Sequence, residues 1–390
     1  MAEGGPLQGV KIVEMVGIGP APFAAMMLAD LGAEVIRIDR PTPSGNGIVR
    51  AARFDLVARG RRSVILDLKR PEAVACALDL VAGADALVEG FRPGVMERLG
   101  LGPDACHARN PLLVYGRLTG WGQTGPLAQS PGHDLNYLGL TGILDMIGRA
   151  GEAPVPPLNL VADYAGGSLI LVAGLLAALV NVQRGGEGQV VDAAMVDGVA
   201  LLGTAMAGLR AAGLHNGPRG TNILDGGAPY YGVYACADGA YLSVAPIEPK
   251  FRAVFLGILG FDAAGFPDLD DRAAWPEARR LISARLAGRS RDDWCALFDG
   301  SDACVTAVLT PMEAPHHPHN AARSMHVQIG DIVQPAPAPR FSKTPASLPA
   351  PPEARPGAEG AAVLTDWGID PARVAQLIET GAARAPRQQE

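Results

Sequence analysis

The stretch Pro131–Tyr137, PGHDLNY, sets His133 beside Asp134 after a loop broken by Gly120, Gly122, Gly125 and Pro126. Histidine has the side-chain pKa nearest neutrality, so an imidazole here suits proton transfer in either direction. A second group, Asp163 in NLVADYAGG, opens a long apolar stretch. Its carboxylate could simply cap a helix. With Gly166 and Gly167 leaving room for a ligand, it could equally act as a base or nucleophile. Glu248, directly before Pro249 in APIEPKF, has the same double reading of cap or functional acid. A lone loop histidine needs no function, so its partners decide what it means.

The elements that must position these groups are legible as alternation. Val10–Met15 is a strand, Val16–Pro20 a turn, Phe23–Leu31 a helix and Glu34–Asp39 a second strand, a βαβ unit. Strand Ser63–Leu66, helix Pro71–Val81, strand Ala86–Glu89, helix Gly94–Leu99 and strand Leu112–Leu118 repeat the rhythm. That pattern predicts an α/β fold with a mostly parallel, Rossmann-like sheet. A strand from Gln189 passes into a helix reaching about Ala212, and Gly213–Pro229 follows as a linker. A hairpin over 230–244 and helices Pro249–Gly260, Trp275–Leu286 and Arg291–Phe298 then predict a smaller α+β domain. Gln334–Pro356 is proline-dense and expected to be extended, before a last helix, Pro371–Ala382.

Composition narrows the function classes. A net charge of -7 argues against nucleic-acid binding, and 48% hydrophobic with 19% charged residues describes a globular enzyme. The five cysteines are scattered and never form CxxC, which predicts a reduced, cytoplasmic protein without a thiolate zinc site. His316, His317 and His319 lack partners at metal spacing, so no metal is expected. Tyr164–Val182 carries no charge and approaches membrane-span length, but in so mixed a chain it is expected as a buried core helix, with no membrane partner. The Gly17-Ile18-Gly19 turn with Asp39 imitates a dinucleotide fingerprint, yet Pro22 replaces its third glycine, and Arg37 and Arg40 suit a phosphate better. Arg40, Lys69, Arg92 and Arg117 recur at strand ends, where such sheets bind ligands, and point to a phosphate-bearing one.

Six motifs together carry a resemblance: GWGQTGP (120–126), GHDLNY (132–137), PPLNLVAD (156–163), GQVVDAAMVD (188–197), DGGAPYY (225–231) and IEPKF (247–251). In this order they resemble the α-methylacyl-CoA racemases of the family III CoA-transferase superfamily, from about Leu7 to Trp367. The resemblance implies a large domain from both chain ends (1–200 and 320–390), a linker (201–229), a small domain (230–319) and an interlocked homodimer. It implies an acyl-CoA substrate and no cofactor, with Arg40, Lys69 and Arg92 at the CoA phosphates and Leu66, Asp67 and Leu68 on the adenine side. His133 and Asp163 become the acid/base pair, Glu248 the partner of the histidine across the dimer, and Gly122, Tyr137 and Tyr231 substrate-lining residues. Racemisation takes a proton α to a thioester and returns it to the opposite face, so it needs two bases and an oxyanion donor, here the Asp134 backbone N–H. CoA transfer through an acyl-aspartate at Asp163 is the alternative, although it has no need of a second base at His133. The methionine-rich acyl surface of the racemase pattern is reduced to Met206 in Leu201–Leu214.

Overall fold

The computed structural model describes residues 4–384 apart from 43, 263, 347, 349, 354 and 355. The ends of the expected large domain, 1–3 and 385–390, lie outside the described residues, as do four positions of the proline-dense segment. The chain runs β1 (Lys11–Met15), α1 (Pro20–Asp30), β2 (Glu34–Asp39), β3 (Arg62–Leu66), α2 (Pro71–Ala82), β4 (Ala86–Glu89), α3 (Val95–Arg98), α4 (Pro103–Arg109) and β5 (Val114–Thr119). Proline opens α1, α2 and α4, where its missing N–H costs nothing and its fixed φ favours the helix. Then come α5 (Asp134–Leu140), a π-helical stretch Leu160–Leu169, α6 (Ile170–Gln183), β6 (Val190–Ala194) and α7 (Met195–Leu202).

The next elements are α8 (Thr204–Ala211), β7 (Gly232–Ala235), β8 (Tyr241–Val244), α9 (Pro249–Ile258), α10 (Trp275–Leu286), α11 (Arg291–Phe298), β9 (Val305–Val308) and α12 (Pro318–Ala322). The chain closes with β10 (His326–Ile329), β11 (Ile332–Pro335), α13 (Gly360–Asp366), α14 (Pro371–Glu379) and β12 (Ala383–Arg384).

Two compact units result. The first holds the chain up to 141, 158–202 and everything from 326. Its seven-stranded sheet has the order β12-β3-β2-β1-β4-β5-β6, parallel throughout except β12, which runs antiparallel to β3 and pairs Ala383 with Leu66. The strands β4 and β5 are buried on both faces, as interior parallel strands are. The order reverses between β1 and β4, and the crevice outside the carboxyl ends of those strands is where open α/β sheets bind ligands. Val363, Leu364, Val374 and Leu377 bring α13 and α14 into the core beneath β3 and α2.

Polar groups are also buried. Glu14 of β1 is fully enclosed with Arg61 Nε 3.0 Å from its Oε2, although the angle makes no hydrogen bond. Arg59 holds Asp30 along one guanidinium edge, from Nη2 at 2.6 Å and Nε at 3.2 Å, and donates from Nη1 to Gln334 Oε1 at 2.8 Å. Gln334, expected to start an unpacked extended segment, is therefore a buried residue of β11.

The charge-free helix is not wholly core. Leu160–Gln183 is long and apolar enough to cross a membrane by composition, and 44% of its most apolar window is buried. Leu169, Ala173, Ala177 and Val180, spaced three and four apart, form an exposed stripe.

The second unit comprises 142–157 and 203–325. Its antiparallel sheet, β7-β8-β9, packs Leu242 with Phe255, Trp275, Ile282 and Trp294. The third strand, β9, was not foreseen in the sequence. Residues 142–157 and 203–229, expected in the large domain and a linker, are knitted together by Arg219, which donates to the Asp145 carboxylate at 2.8 Å and the Glu152 carbonyl at 2.6 Å.

Candidate active site

The histidine loop ends by becoming a helix. His133 is the N-cap of α5, with extended backbone angles, and its N–H donates to Asn136 Oδ1 at 3.0 Å while its carbonyl accepts the Asn136 N–H at 2.8 Å. The imidazole is exposed. Behind it, Tyr137 fills a slot only glycines can line. A Cβ on Gly120 would sit 2.1 Å from the ring, and one on Gly132 2.7 Å. Trp121 meets the ring edge-on at 4.7 Å, and the phenol donates to the Gly132 carbonyl. Burial, aided by the Asp163 charge, pushes the Tyr137 hydroxyl up to about 12, while Arg92 pulls against the shift.

Asp163 is not the N-cap of its helix; Asn159 holds that position. The carboxylate sits within the π-helical stretch, a geometry of i→i+5 bonding that often marks functional sites. Asn159 Nδ2 donates to Asp163 Oδ2 at 3.1 Å. Burial holds the Asp163 pKa above the usual carboxylate range and the Asp134 charge adds to the shift, whereas the Asn159 hydrogen bond and the charge of His133 oppose it. The imidazole and this carboxylate thus act on each other. Gly19 closes one side: its φ of 68° and ψ of -122° are open only to glycine, and a Cβ there would lie 3.6 Å from Asp163 Oδ2. The GxG turn after β1 therefore lets the chain approach this acid at the sheet's switch point.

Asp134 joins the two. Its carboxylate is buried and accepts the backbone N–H groups of Ala162 and Asp163 at 2.9 and 2.8 Å. Neither this role nor that of Asn159 was read from the sequence. Asn159 lies four residues before Asp163, a spacing at which side chains meet on a helix.

The cations divide. Arg40, Lys69 and Arg92 follow β2, β3 and β4 and are exposed, with Arg40 lying over the Phe91 ring at 5.3 Å. Arg98, which the sequence reading passed over, folds back toward Gly94 at the same edge. Arg117 is not available: it is buried and paired with Glu89 and Glu97, each at 2.9 Å. Arg37 is likewise bound to Asp39 at 2.9 Å, which removes both from any ribose or phosphate contact. The Leu66 side chain belongs to the core, so only its backbone can face a ligand, and Leu68 packs partly against that core. Asp67 receives the Lys69 N–H at 3.4 Å and pairs with Arg384 at 3.4 Å.

Gly166 and Gly167 admit no ligand. Their hydrogens face Val199 and Met195 of α7, where a Cβ would come within 2.9 Å. Gly122 is buried, with φ of 85° and its N–H on Thr119 Oγ1 at 3.0 Å. In the second unit, Glu248 is the exposed N-cap residue of α9 but its side chain caps nothing, and Tyr231 packs partly against that unit's core.

Residues 7–358 match CoA-transferase family III. The α-methylacyl-CoA racemase of Mus musculus is 44% identical over 372 residues, covering 95% of this chain and 96% of its own. That of Homo sapiens is 44% identical over 343 residues, 87% of each. A crystal structure of a CAIB/BAIF family protein from Brucella suis superposes with a TM-score of 0.80 at 27% identity, covering 94% of this chain and 100% of that one.

Proposed function

The chain belongs to CoA-transferase family III, and on that premise we propose that it is an isomerase that interconverts (2R)- and (2S)-2-methylacyl-CoA thioesters by two-base 1,1-proton transfer through an enolate. The observation that supports this reading is a carboxylate, Asp163, whose burial raises its affinity for a proton and which feels the charge of His133. A transferase nucleophile would need to stay ionised, and would need no imidazole beside it.

The proton count closes. In one direction neutral His133 takes the α-proton while protonated Asp163 gives its own to the opposite face, leaving imidazolium and carboxylate. The reverse reaction starts from that state, so the pair carries one proton in either resting form. The enolate oxygen needs a fixed donor, and the Asp134 amide, first in its helix, has no carbonyl one turn back to serve. A reaction that needs one base deprotonated and the other protonated gives a bell-shaped pH profile.

For the substrate, the exposed cations Arg40, Lys69 and Arg92 suit the CoA phosphates, the 66–68 backbone the adenine side, and Gly122, Tyr137 and Tyr231 the acyl end. A homodimer is part of the proposal. The exposed stripe of Leu169, Ala173, Ala177 and Val180 calls for an apolar cover, and its small residues allow close helix approach. Glu248, held by no cap or ion pair among the described residues, would orient His133 of a second copy. The second unit serves as the smaller α+β domain. The chemistry needs neither metal nor redox cofactor, and the five free cysteines suit the cytoplasm.

Incubation with a 2-methylacyl-CoA in deuterated water, followed by NMR of the α-hydrogen, tests the reading. Exchange with loss of optical purity is expected. CoA passing to an added carboxylic acid without exchange would make the protein a transferase with Asp163 as nucleophile.

A further inference from the structure

Asp134 presents two chemistries that face different ways. Its backbone amide opens α5 next to His133, while its buried carboxylate reaches 28 and 29 residues ahead to accept the Ala162 and Asp163 amides. Those are the first turns of the π-helical stretch, where wider coiling leaves the ladder irregular and N–H groups in need of partners. One side chain therefore ties the element that presents the imidazole to the element that presents the acid.

We propose that the Asp134 carboxylate is a positioning residue that fixes the separation of His133 and Asp163 by clamping the backbone of Asp163 to the first turn of α5. This rests on the racemase reading only for its effect on rate; the clamp itself stands on geometry. Two bases that must flank a single carbon tolerate little drift, and a displacement of about 1 Å can cost on the order of 10²-fold in rate.

The clamp is also a fixed charge. Asp134 adds to the upward shift of Asp163, and His133 opposes it. The other elements packed on the π-helical stretch bring no competing charge. In α7, Asp197 acts on Asp192, whose carboxylate in β6 takes the Gln123 amide; Arg117 of β5 is bound to Glu89 and Glu97. In α1 the one charged residue, Asp30, is held by Arg59, and α6 has none. Removing the Asp134 charge should therefore lower the proton affinity of Asp163.

Asp134→Asn and Asp134→Ala separate shape from charge. The asparagine keeps an acceptor oxygen for the two amides and loses the charge; the alanine loses both. Starting from each enantiomer in deuterated water, Asp134→Ala should lose about 10²-fold in kcat with KM within about threefold. Asp134→Asn should recover most of that loss, with its bell-shaped profile displaced to lower pH. Amide hydrogen exchange at Ala162 and Asp163, read by mass spectrometry on the full-length protein, should quicken strongly in the alanine variant and little in the asparagine one. A profile left in place or moved to higher pH by Asp134→Asn overturns the proposal, as does unchanged amide protection in Asp134→Ala. Should the alanine variant fail to fold, the asparagine profile decides. If the unsubstituted protein exchanges no α-hydrogen, the racemase reading fails, and the amide protection alone decides the clamp.

Discussion

Asn159 Nδ2 donates to Asp163 Oδ2 at 3.1 Å, so the acid in the π-helical stretch is held by the residue at that stretch's N-cap position. The bond favours the ionised carboxylate and works against the burial that pushes the pKa of Asp163 up. Asn159→Ala removes that opposition. The proton affinity of Asp163 rises further, and the bell-shaped profile of α-hydrogen exchange should move to higher pH. A hydrogen bond to a charged group is worth about 1.5–3 kcal/mol, so the rate below neutrality should fall by about tenfold or more. A pH series of exchange rates for the two proteins checks this.

His133→Ala and Asp163→Asn each remove one member of the pair. General acid–base groups contribute about 10²–10⁴-fold, and both variants should lose racemisation by that order. Asp163→Asn would also abolish CoA transfer, whereas His133→Ala would spare it. Assaying both activities in both variants distinguishes the two chemistries: a His133→Ala protein that racemises at the full rate removes the imidazole from the site.

Away from the site, the folded-state pKa of Glu14 is raised by burial, with Arg61 opposing. A raised acid contributes stability that is complete below its unfolded value of 4.5 and is lost as pH rises through the folded one. Measured as urea midpoints, the stability of the unsubstituted protein relative to Glu14→Gln should be greatest in acid and decline as pH climbs above 4.5. A flat difference between the two proteins would mean that Glu14 ionises freely in the folded chain.

Val180 ends the exposed apolar stripe of α6. Val180→Glu places a charge where the proposed partner would bury it, and the cost of an unpaired buried charge is several kcal/mol. Sedimentation equilibrium should find the unsubstituted protein dimeric and the variant shifted toward monomer with its helix content kept. An unchanged mass would put the dimer contact elsewhere.

The local rhythm of the first unit was legible because its signals are local. Apolar runs such as EVIRI and ALVE mark strands, Pro71 opens a helix and Gly32 ends one, so β2 and β4 fall where the sequence places them, and in the second unit α10 and α11 do as well. The ordered motifs likewise pointed to the family. Elements whose pairing is distant were less visible: β12 is two residues long and becomes a strand only by bonding β3, and β9 needs β8 beside it.

What the sequence by itself determined was the set of chemical groups, His133 after a glycine-rich loop with the acids Asp163 and Glu248, and the α/β rhythm that carries them. Only the tertiary structure decided how those groups are used. It enclosed Arg117 in ion pairs with Glu89 and Glu97, although the sequence placed it at a strand end like the exposed Arg40, Lys69 and Arg92. It closed Gly166 and Gly167 against α7, and it turned Asp134 inward to hold Asp163. The reason is physical: whether a charge is free or paired, or a glycine open or packed, depends on neighbours tens to hundreds of residues away, which local periodicity does not encode.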